Sequence, residues 1–355
     1  MIYKYLAKPL LFTMEAEKAH DFTSKIGLRF TYNERLSAII RSLYNYQSVQ
    51  LVQSFWGLTF RNPIGLAAGF DKNGRMVKTV ENLGMGFTEI GSITALSSQG
   101  NARPRVFRLP KDQALINRMG LNNRGARTVI RSMERSAVMP VGVNIAKTHD
   151  SSISGDAAIR DYQQSYKEAE KTADYITVNI SCPNTSDGRT FEEPTSLEAL
   201  LLAFPDAEER EVPTVIKFSP DLSPNTLKQL IEICEEFQID GYAAGNTSSK
   251  RENLSTDKQK IEAIGKGGLS GQPIFEKSLS TVKQIRKHIG PGKPIIGVGG
   301  IHSFETALQM LQAGADLLQI YTGLVYEGPG LVKKINKQLV RYLKEHKLSS
   351  LKELQ

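Results

Sequence analysis

The residues best suited to chemistry follow a β-branched strand near the middle of the chain. Residues 174–180 alternate and are rich in Ile, Val, Thr and Tyr, which predicts a strand. The turn after this strand carries several hydrogen-bonding side chains and a thiol. Such a turn indicates a ligand site, in which the thiol is a candidate proton acceptor. The alternative is a plain turn with a cysteine that packs as a small hydrophobe. The side chains concerned are Asn179, Cys182, Asn184 and Thr185.

From residue 55 onward the chain repeats one unit, an apolar strand followed by a helical pattern. Strands are predicted at residues 64–68, 87–91, 141–145, 175–180, 214–218, 241–244, 295–298 and 317–321. Helical patterns follow most of them, for example at 225–237, 274–288, 303–313 and 330–345. Eight such units predict an α/β fold, a (β/α)8 TIM barrel with an N-terminal helical extension. A doubly wound sheet is the alternative, but the GxGxxG motif expected after its first strand is absent.

In such a barrel the loops after the strands build the active site, so residues at strand ends are candidate ligands. Lys217 stands inside a predicted strand, where a lysine is costly unless it faces a ligand. Lys72 follows the first strand and can meet an anion, and the small residues before it let a flat ligand approach the backbone. Carboxamides recur at other strand ends, at Asn117, Asn144, Asn179 and Asn246.

Glycine-rich turns stand ahead of helices in the last units, at residues 267–271, 297–301 and 321–323. Backbone N–H groups and helix N-termini at such turns hold phosphate, as the loops after the last two barrel strands often do. Carboxamides pair well with imide edges that present both donors and acceptors. Together these features favour flavin mononucleotide and a pyrimidine-like substrate.

Composition and charge exclude several classes of protein. With 355 residues, 40% hydrophobic and 23% charged, the chain is neither disordered nor fibrous. Two cysteines give no disulfide framework, and Cys234 lies in a helical pattern typical of a core position. The five histidines lack metal-ligand spacing, so no metal site is predicted. A net charge of +8 suits an anionic substrate or an acidic membrane surface, while dispersed Lys and Arg argue against nucleic acid.

Residues 1–46 differ from the rest of the chain in their pattern of apolar and charged residues. Apolar residues recur at helical spacing from Phe12 to Phe30 and from Leu36 to Leu43, which predicts two short amphipathic helices. Seven Lys or Arg against four Asp or Glu give a net charge of +3. No apolar run reaches the roughly 20 residues of a spanning helix. The segment therefore either lies in a membrane interface or packs on the barrel, which is predicted for residues 47–355.

Several long motifs occur in order along nearly the whole chain: EKAH (17–20), NPIGLAAGFDK (62–72), PRVFRL (104–109), INRMG (116–120), GGLSG (267–271), GVGG (297–300) and QIYT (319–322). In them the chain resembles the dihydroorotate dehydrogenase family, particularly its quinone-linked, membrane-associated class. The resemblance implies oxidation of (S)-dihydroorotate to orotate in pyrimidine biosynthesis, with FMN as hydride acceptor and a membrane quinone as final electron acceptor. It also implies peripheral association with the cytoplasmic side of the inner membrane, as a monomer or a homodimer.

The same resemblance implies roles for individual residues. Cys182 falls on the position of the catalytic base, which removes the C5 proton while hydride leaves C6 for flavin N5. FMN would contact Ala68, Gly69, Lys72, Ser92, Asn144, Asn179, Lys217, Gly245, Gly271, Gly300, Tyr321 and Thr322. The substrate would contact Lys72, Asn117, Arg118, Met119, Gly120, Leu121, Asn179, Asn184, Asn246 and Thr247. His20, Arg108 and Tyr321 would line a quinone tunnel.

Two residues depart from the family pattern. Cys182 stands where the quinone-linked class normally has serine, although a thiol with a reference pKa near 8.5 remains a competent base. Gly245 replaces a threonine and removes one expected hydroxyl contact to the flavin. Three alternatives follow: a related FMN barrel acting on another cyclic imide or enone, dihydroorotate oxidation with a soluble acceptor, or a non-catalytic flavin- or phosphate-binding barrel.

Overall fold

A closed barrel of eight parallel strands forms the centre of the molecule. The computed structural model describes residues 3–136, 138–181 and 191–355. Around the barrel the strands follow the order β3, β4, β7, β8, β9, β10, β12 and β13, and β13 closes onto β3. In chain order the strands are β1 (Gln53–Phe55), β2 (Leu58–Phe60), β3 (Ile64–Leu66), β4 (Phe87–Ile93), β5 (Val106–Leu109), β6 (Ala114–Asn117), β7 (Val141–Ile145), β8 (Tyr175–Asn179), β9 (Thr214–Phe218), β10 (Gly241–Ala244), β11 (Gly268–Gly271), β12 (Ile295–Val298) and β13 (Leu317–Ile320).

Helices follow the barrel strands and cover their outer faces. Short 3₁₀ helices lie at Val49–Leu51, Pro110–Asp112, Gln272–Ile274 and Leu351–Leu354. The α-helices are α1 (Lys8–Thr13), α2 (Ala16–Thr31), α3 (Glu34–Tyr44), α4 (Val77–Asn82), α5 (Ala126–Ser132), α6 (Asp156–Ala169), α7 (Pro194–Leu201), α8 (Pro224–Glu236), α9 (Lys258–Ile264), α10 (Phe275–Ile289), α11 (Phe304–Gln312), α12 (Thr322–Glu327) and α13 (Leu331–Glu345).

The predicted barrel is confirmed. Each of the eight predicted strands matches a barrel strand to within two residues, and β7, β9, β10 and β12 match at both ends. Barrel strands such as β7, β8 and β9 are buried on both faces, because side chains fill the barrel on one side and helices cover the other. Helices such as α13 bury one apolar stripe against this core, which is why their periodicity is readable from the sequence.

Two small sheets add to the predicted barrel. The hairpin of β1 and β2 lies at the N-terminal end of the strands, where Trp56 Nε1 donates to the carbonyl of Asp240 at 3.0 Å. Strands β5, β6 and β11 form an antiparallel sheet inserted after barrel strands β4 and β10. Asn117, predicted in a loop, therefore ends strand β6. Strands β5 and β6 stand outside the strand–helix repeat from which the barrel strands were predicted, because no α-helix lies between them.

The N-terminal segment contains one more helix than the two predicted. A π-helical turn at Tyr3–Ala7 leads into α1, and α2 begins only after Glu15, whose carboxylate caps it by accepting from the N–H groups of Glu17 and Lys18. That cap divides the single helix predicted from Phe12 to Phe30. Helix α2 is held against the inserted sheet, because buried Glu17 pairs with Arg105, the residue before β5, at 2.7 Å.

Candidate active site

A cavity opens at the C-terminal ends of the barrel strands, where this fold places its active sites. Ala68 and Gly69 follow β3, Asn179 ends β8 and Lys217 stands on β9, while β5, β6 and β11 roof the opening. Side chains from all these elements face one space. The lining includes Ala68, Gly69, Lys72, Ser92, Asn117, Met119, Gly120, Leu121, Asn179, Lys217, Asn246, Thr247, Gly271, Gly300, Gln319, Tyr321 and Thr322.

Carboxamides and hydroxyls make a connected network on one wall of this cavity. Asn246 Nδ2 donates to Asn179 Oδ1 at 3.1 Å and to Ser181 Oγ at 2.7 Å. Asn179 Nδ2 in turn donates to Ser92 Oγ at 3.3 Å. These bonds fix the orientation of the amide groups, so that their remaining donors and acceptors can recognise a planar polar ligand.

The residues present fit a flavin phosphate and ring system. Lys217 is 5% exposed, and among the described residues its ammonium has no hydrogen-bond or ion-pair partner. Gln319 Oε1 is likewise buried without a partner. A lysine and an amide oxygen left unpaired at a cavity wall are costly unless a ligand completes them. At Gly300, with φ of +73°, a Cβ would lie 2.5 Å from the Cβ of Phe275, so only glycine keeps this turn close to α10.

Lys72 supplies a second cation at the rim. Its Nζ donates to the carbonyl of Gly69 at 2.7 Å. Burial lowers the pKa of Lys72 to about 8, and the carboxylate of Glu17 opposes that shift. The ammonium is therefore mostly charged at neutral pH and can hold an anionic group. Burial lowers the pKa of His20 to about 4, with Lys72 contributing, so this imidazole is neutral at pH 7.

A second cavity of about 450 Å³ lies between the N-terminal helices and the barrel. It is lined largely by apolar side chains of α1 and α2, and its volume falls within the range of small-molecule sites. Both cavities share Lys72, Val106, Leu115, Met119 and Tyr321 as a common wall. All three predicted quinone-tunnel residues line it: His20, Arg108 and Tyr321.

Aromatic rings connect the two cavities. The ring of Phe70 meets His20 edge-on with centroids 4.7 Å apart, and it meets Tyr321 with centroids 5.3 Å apart. Burial raises the pKa of Tyr321 to about 12, so its phenol stays protonated. The wall between the cavities thus combines the cation of Lys72 with uncharged apolar and aromatic side chains.

Helices α2 and α3 also leave large apolar side chains in solvent. Ile39 is 53% exposed and Leu43 is 57% exposed, and neither lines the cavity beneath. No helix in the described part of the chain is both long and apolar enough to cross a bilayer. Other exposed members of this apolar face are Leu10, Phe22, Ile26, Phe30 and Leu36.

Three residues predicted to contact a ligand lie off the cavity lining. Arg118 turns outward over the ring of Phe107 and donates to the carbonyl of Ile264. The residues on either side of it, Asn117 and Met119, line the cavity, and Arg118 does not. Asn144 is fully buried below the cavity floor. Gly245 has φ of +123°, and a Cβ there would overlap the carbonyl oxygen of Val298. Cys182 and Asn184 lie outside the described residues.

The strand ends also hold functional candidates that sequence reasoning missed. Gln319 lines the cavity, and Glu89 lies fully buried under it. A signal for Glu89 was present, because a carboxylate inside an apolar strand is as costly as the lysine that was noticed at position 217. Leu115 and Val106 belong to the small sheet that was not predicted, so nothing pointed to them.

Comparisons with known proteins agree with this arrangement. A family model for dihydroorotate dehydrogenase matches residues 50–343. The dihydroorotate dehydrogenase (quinone) of Trichodesmium erythraeum (strain IMS101) is 38% identical, with 99% of this chain and 97% of that protein covered. The enzyme of the same name from Chelativorans sp. (strain BNC1) is 39% identical, with 98% and 94% covered. A crystal structure of DHODH from Eimeria tenella in complex with ferulenol matches with a TM-score of 0.83 at 26% identity, covering 97% of both chains. The chain belongs to the dihydroorotate dehydrogenase family of flavin-dependent oxidoreductases.

Proposed function

We propose that this chain oxidises (S)-dihydroorotate to orotate for pyrimidine (UMP) biosynthesis, with FMN bound in the barrel cavity and a membrane quinone as final acceptor. The observation that carries the proposal is the shared wall. A cavity that contains two lysines and several carboxamides shares lining side chains such as Tyr321 and Met119 with an apolar cavity under the N-terminal helices. Such a wall keeps a polar substrate and a lipophilic acceptor apart while both reach one cofactor.

The barrel cavity suits FMN because it combines a phosphate cradle with an unpaired cation. The turns around Gly271 and Gly300 open the backbone beside α10 and α12 for a phosphate. Lys217 and Gln319 offer their unpartnered atoms to the ring system. When bound, FMN supplies the two-electron acceptor that no side chain can provide.

The substrate is proposed to bind through its charge and its imide edge. Lys72 would hold the carboxylate of dihydroorotate, because it is the cation at the cavity rim. Asn117, Asn179 and Asn246 would pair with the ring amides, since their carboxamides are already oriented by the network on the wall. Cys182, which follows β8 in the sequence and lies outside the described residues, is proposed to accept the C5 proton.

The quinone is proposed to enter between the N-terminal helices from a membrane surface. The apolar face that includes Ile39 and Leu43 would lie in the interface at the cytoplasmic side of the inner membrane. His20 and Arg108 would meet the polar head of the quinone inside the second cavity. Both cavities are formed within one chain, so a monomer and a homodimer are equally compatible with the proposal.

The acceptor test compares three oxidants with one preparation. Dihydroorotate should drive reduction of a ubiquinone analogue in detergent, and fumarate and NAD⁺ should support no more than a small fraction of that rate. A faster rate with fumarate or NAD⁺ would establish the soluble-acceptor alternative. Turnover of another cyclic imide, but not of dihydroorotate, would establish the altered-substrate alternative to which Cys182 and Gly245 point.

A further inference from the structure

A carboxylate lies inside the barrel directly below the candidate flavin site. Glu89 stands on β4, where it is paired in register with Gly142 of β7, and its side chain is fully buried. A buried acid is retained only where hydrogen bonds or a counter-charge offset its desolvation. The proposed reaction gives Glu89 no role so far.

Neutral donors from three strands surround this carboxylate. Asn144 Nδ2 donates to Oε1 at 2.8 Å. Thr177 Oγ1 donates to Oε2 at 2.9 Å, and Gln319 Nε2 donates to the same oxygen at 2.8 Å. The hydroxyl of Tyr175 lies 3.4 Å from it. This donor set satisfies an ionised carboxylate but adds no positive charge of its own.

Lys217 is the cation that interacts with the negative charge of Glu89. It stands on β9, opposite Asn179 on one side and Ala243 on the other, and it faces the cavity. Burial lowers the pKa of Lys217, and the charge of Glu89 opposes that shift. Tyr175 is the other titratable group facing Glu89, and burial together with Glu89 raises its pKa well above 10, so it stays neutral.

We propose that Glu89 is a positioning residue that keeps the Lys217 ammonium charged beneath the flavin, so that the cation is present when negative charge develops on the reduced ring. The inference rests on the proposed FMN site. In this role the hydrogen bonds from Asn144, Thr177 and Gln319 hold the negative charge of the Glu89 carboxylate at a fixed position inside the barrel.

The test is the midpoint potential of the bound flavin, measured from pH 6 to 9.5 on flavin-loaded protein without substrate. Four proteins are compared: wild type, Glu89→Gln, Thr88→Val and Lys217→Met. Thr88→Val is the matched control, because Thr88 is a buried neighbour of Glu89 on β4 whose hydroxyl has no partner among the described residues, so the substitution changes neither the charge nor its donors. Glu89→Gln keeps the shape, and the unpartnered Oε1 of Gln319 can turn to accept from the new amide.

Lys217→Met should lower the potential across the whole pH range, because the cation is lost. The midpoint potential of Glu89→Gln should equal or exceed that of wild type at pH 6. As the pH rises it should then fall towards the potential of Lys217→Met. That fall should begin about one pH unit or more below the pH at which wild type loses its cation. The potential of Thr88→Val should follow that of wild type at every pH.

Parallel curves for wild type and Glu89→Gln would overturn the inference, as would an equal displacement of the curve by Thr88→Val. If Glu89→Gln does not fold, Glu89→Asp is tested in its place, because it keeps the negative charge. Its midpoint potential should follow that of wild type at every pH, and a displaced curve would contradict the role of charge. Wild-type protein that binds no flavin would overturn the proposed cofactor and this inference with it, which separates the two failures.

Discussion

At the scale of single residues, burial sets which groups near the two cavities carry charge. Lys72 and His20 lie close enough to influence each other, and burial lowers the pKa of both. The effect on charge differs, because the ordinary pKa of a lysine lies well above 7 and that of a histidine lies just below it. At pH 7 Lys72 keeps its proton and His20 has none, so of these two neighbouring groups only Lys72 carries a positive charge.

Orotate binding should depend on pH through Lys72. Because the pKa of Lys72 is lowered to about 8, the cationic fraction falls as pH rises through that value. The dissociation constant of orotate, measured by titrating the flavin absorbance, should be constant from pH 6 to 7 and rise up to about tenfold per pH unit above 8. Lys72→Met should bind weakly with no such dependence. A flat profile to pH 9.5 in the wild type would remove Lys72 from the substrate site.

Replacement of Cys182 tests the proposed base. Cys182→Ala should keep FMN and orotate binding yet slow flavin reduction by about 10²-fold or more, because no group accepts the C5 proton. Cys182→Ser should be partly active and need higher pH, since a hydroxyl has a higher pKa than a thiol. Cys234→Ala is the matched control: that thiol is buried in the core and burial raises its pKa, so the reduction rate should not change. A near-normal rate in Cys182→Ala would exclude the thiol as base.

At the scale of secondary structure, Gly245 marks a place where two barrel strands approach closely. With φ of +123°, a Cβ at this position would overlap the carbonyl of Val298 at the end of β12. Gly245→Ala should therefore lower the free energy of unfolding by about 1–3 kcal/mol, measured by urea denaturation of the loaded protein. Gly292→Ala is the control, since nothing lies within 4 Å of its Cβ. Equal stability of the two variants would mean that β10 and β12 are not held at this distance.

The exposed apolar face of α3 should determine membrane binding. The double substitution Ile39→Asp and Leu43→Asp adds charge to that face without touching the cavity lining. Binding to vesicles containing anionic lipid should be lost, and turnover with a long-chain quinone in those vesicles should fall with it. Flavin reduction by dihydroorotate should be unchanged. Val49→Asp, at an apolar residue that is 87% exposed but lies outside α1, α2 and α3, should bind vesicles normally. Retained vesicle binding by the double variant would place the membrane contact elsewhere.

At the scale of the whole molecule, the barrel was predictable because its strands are continuous apolar runs with helices between them. Lys217 and Lys72 were found because a charge at a strand end is unexpected unless it meets a ligand. The sheet of β5, β6 and β11 was not predicted, since β11 pairs with β6 across more than 150 residues of the chain. The outward turn of Arg118 was likewise unpredictable, because a nearby ring and a carbonyl from α9 decide it.

The anaerobic reaction with dihydroorotate tests the central claim most directly. The purified protein should show a flavin absorption spectrum, and the cofactor released by denaturation should be FMN. Adding dihydroorotate without oxygen should bleach that spectrum with formation of one orotate per flavin, and a quinone added afterwards should restore it. A flavin that dihydroorotate leaves oxidised, or a reduced flavin that quinone does not reoxidise, would contradict the account.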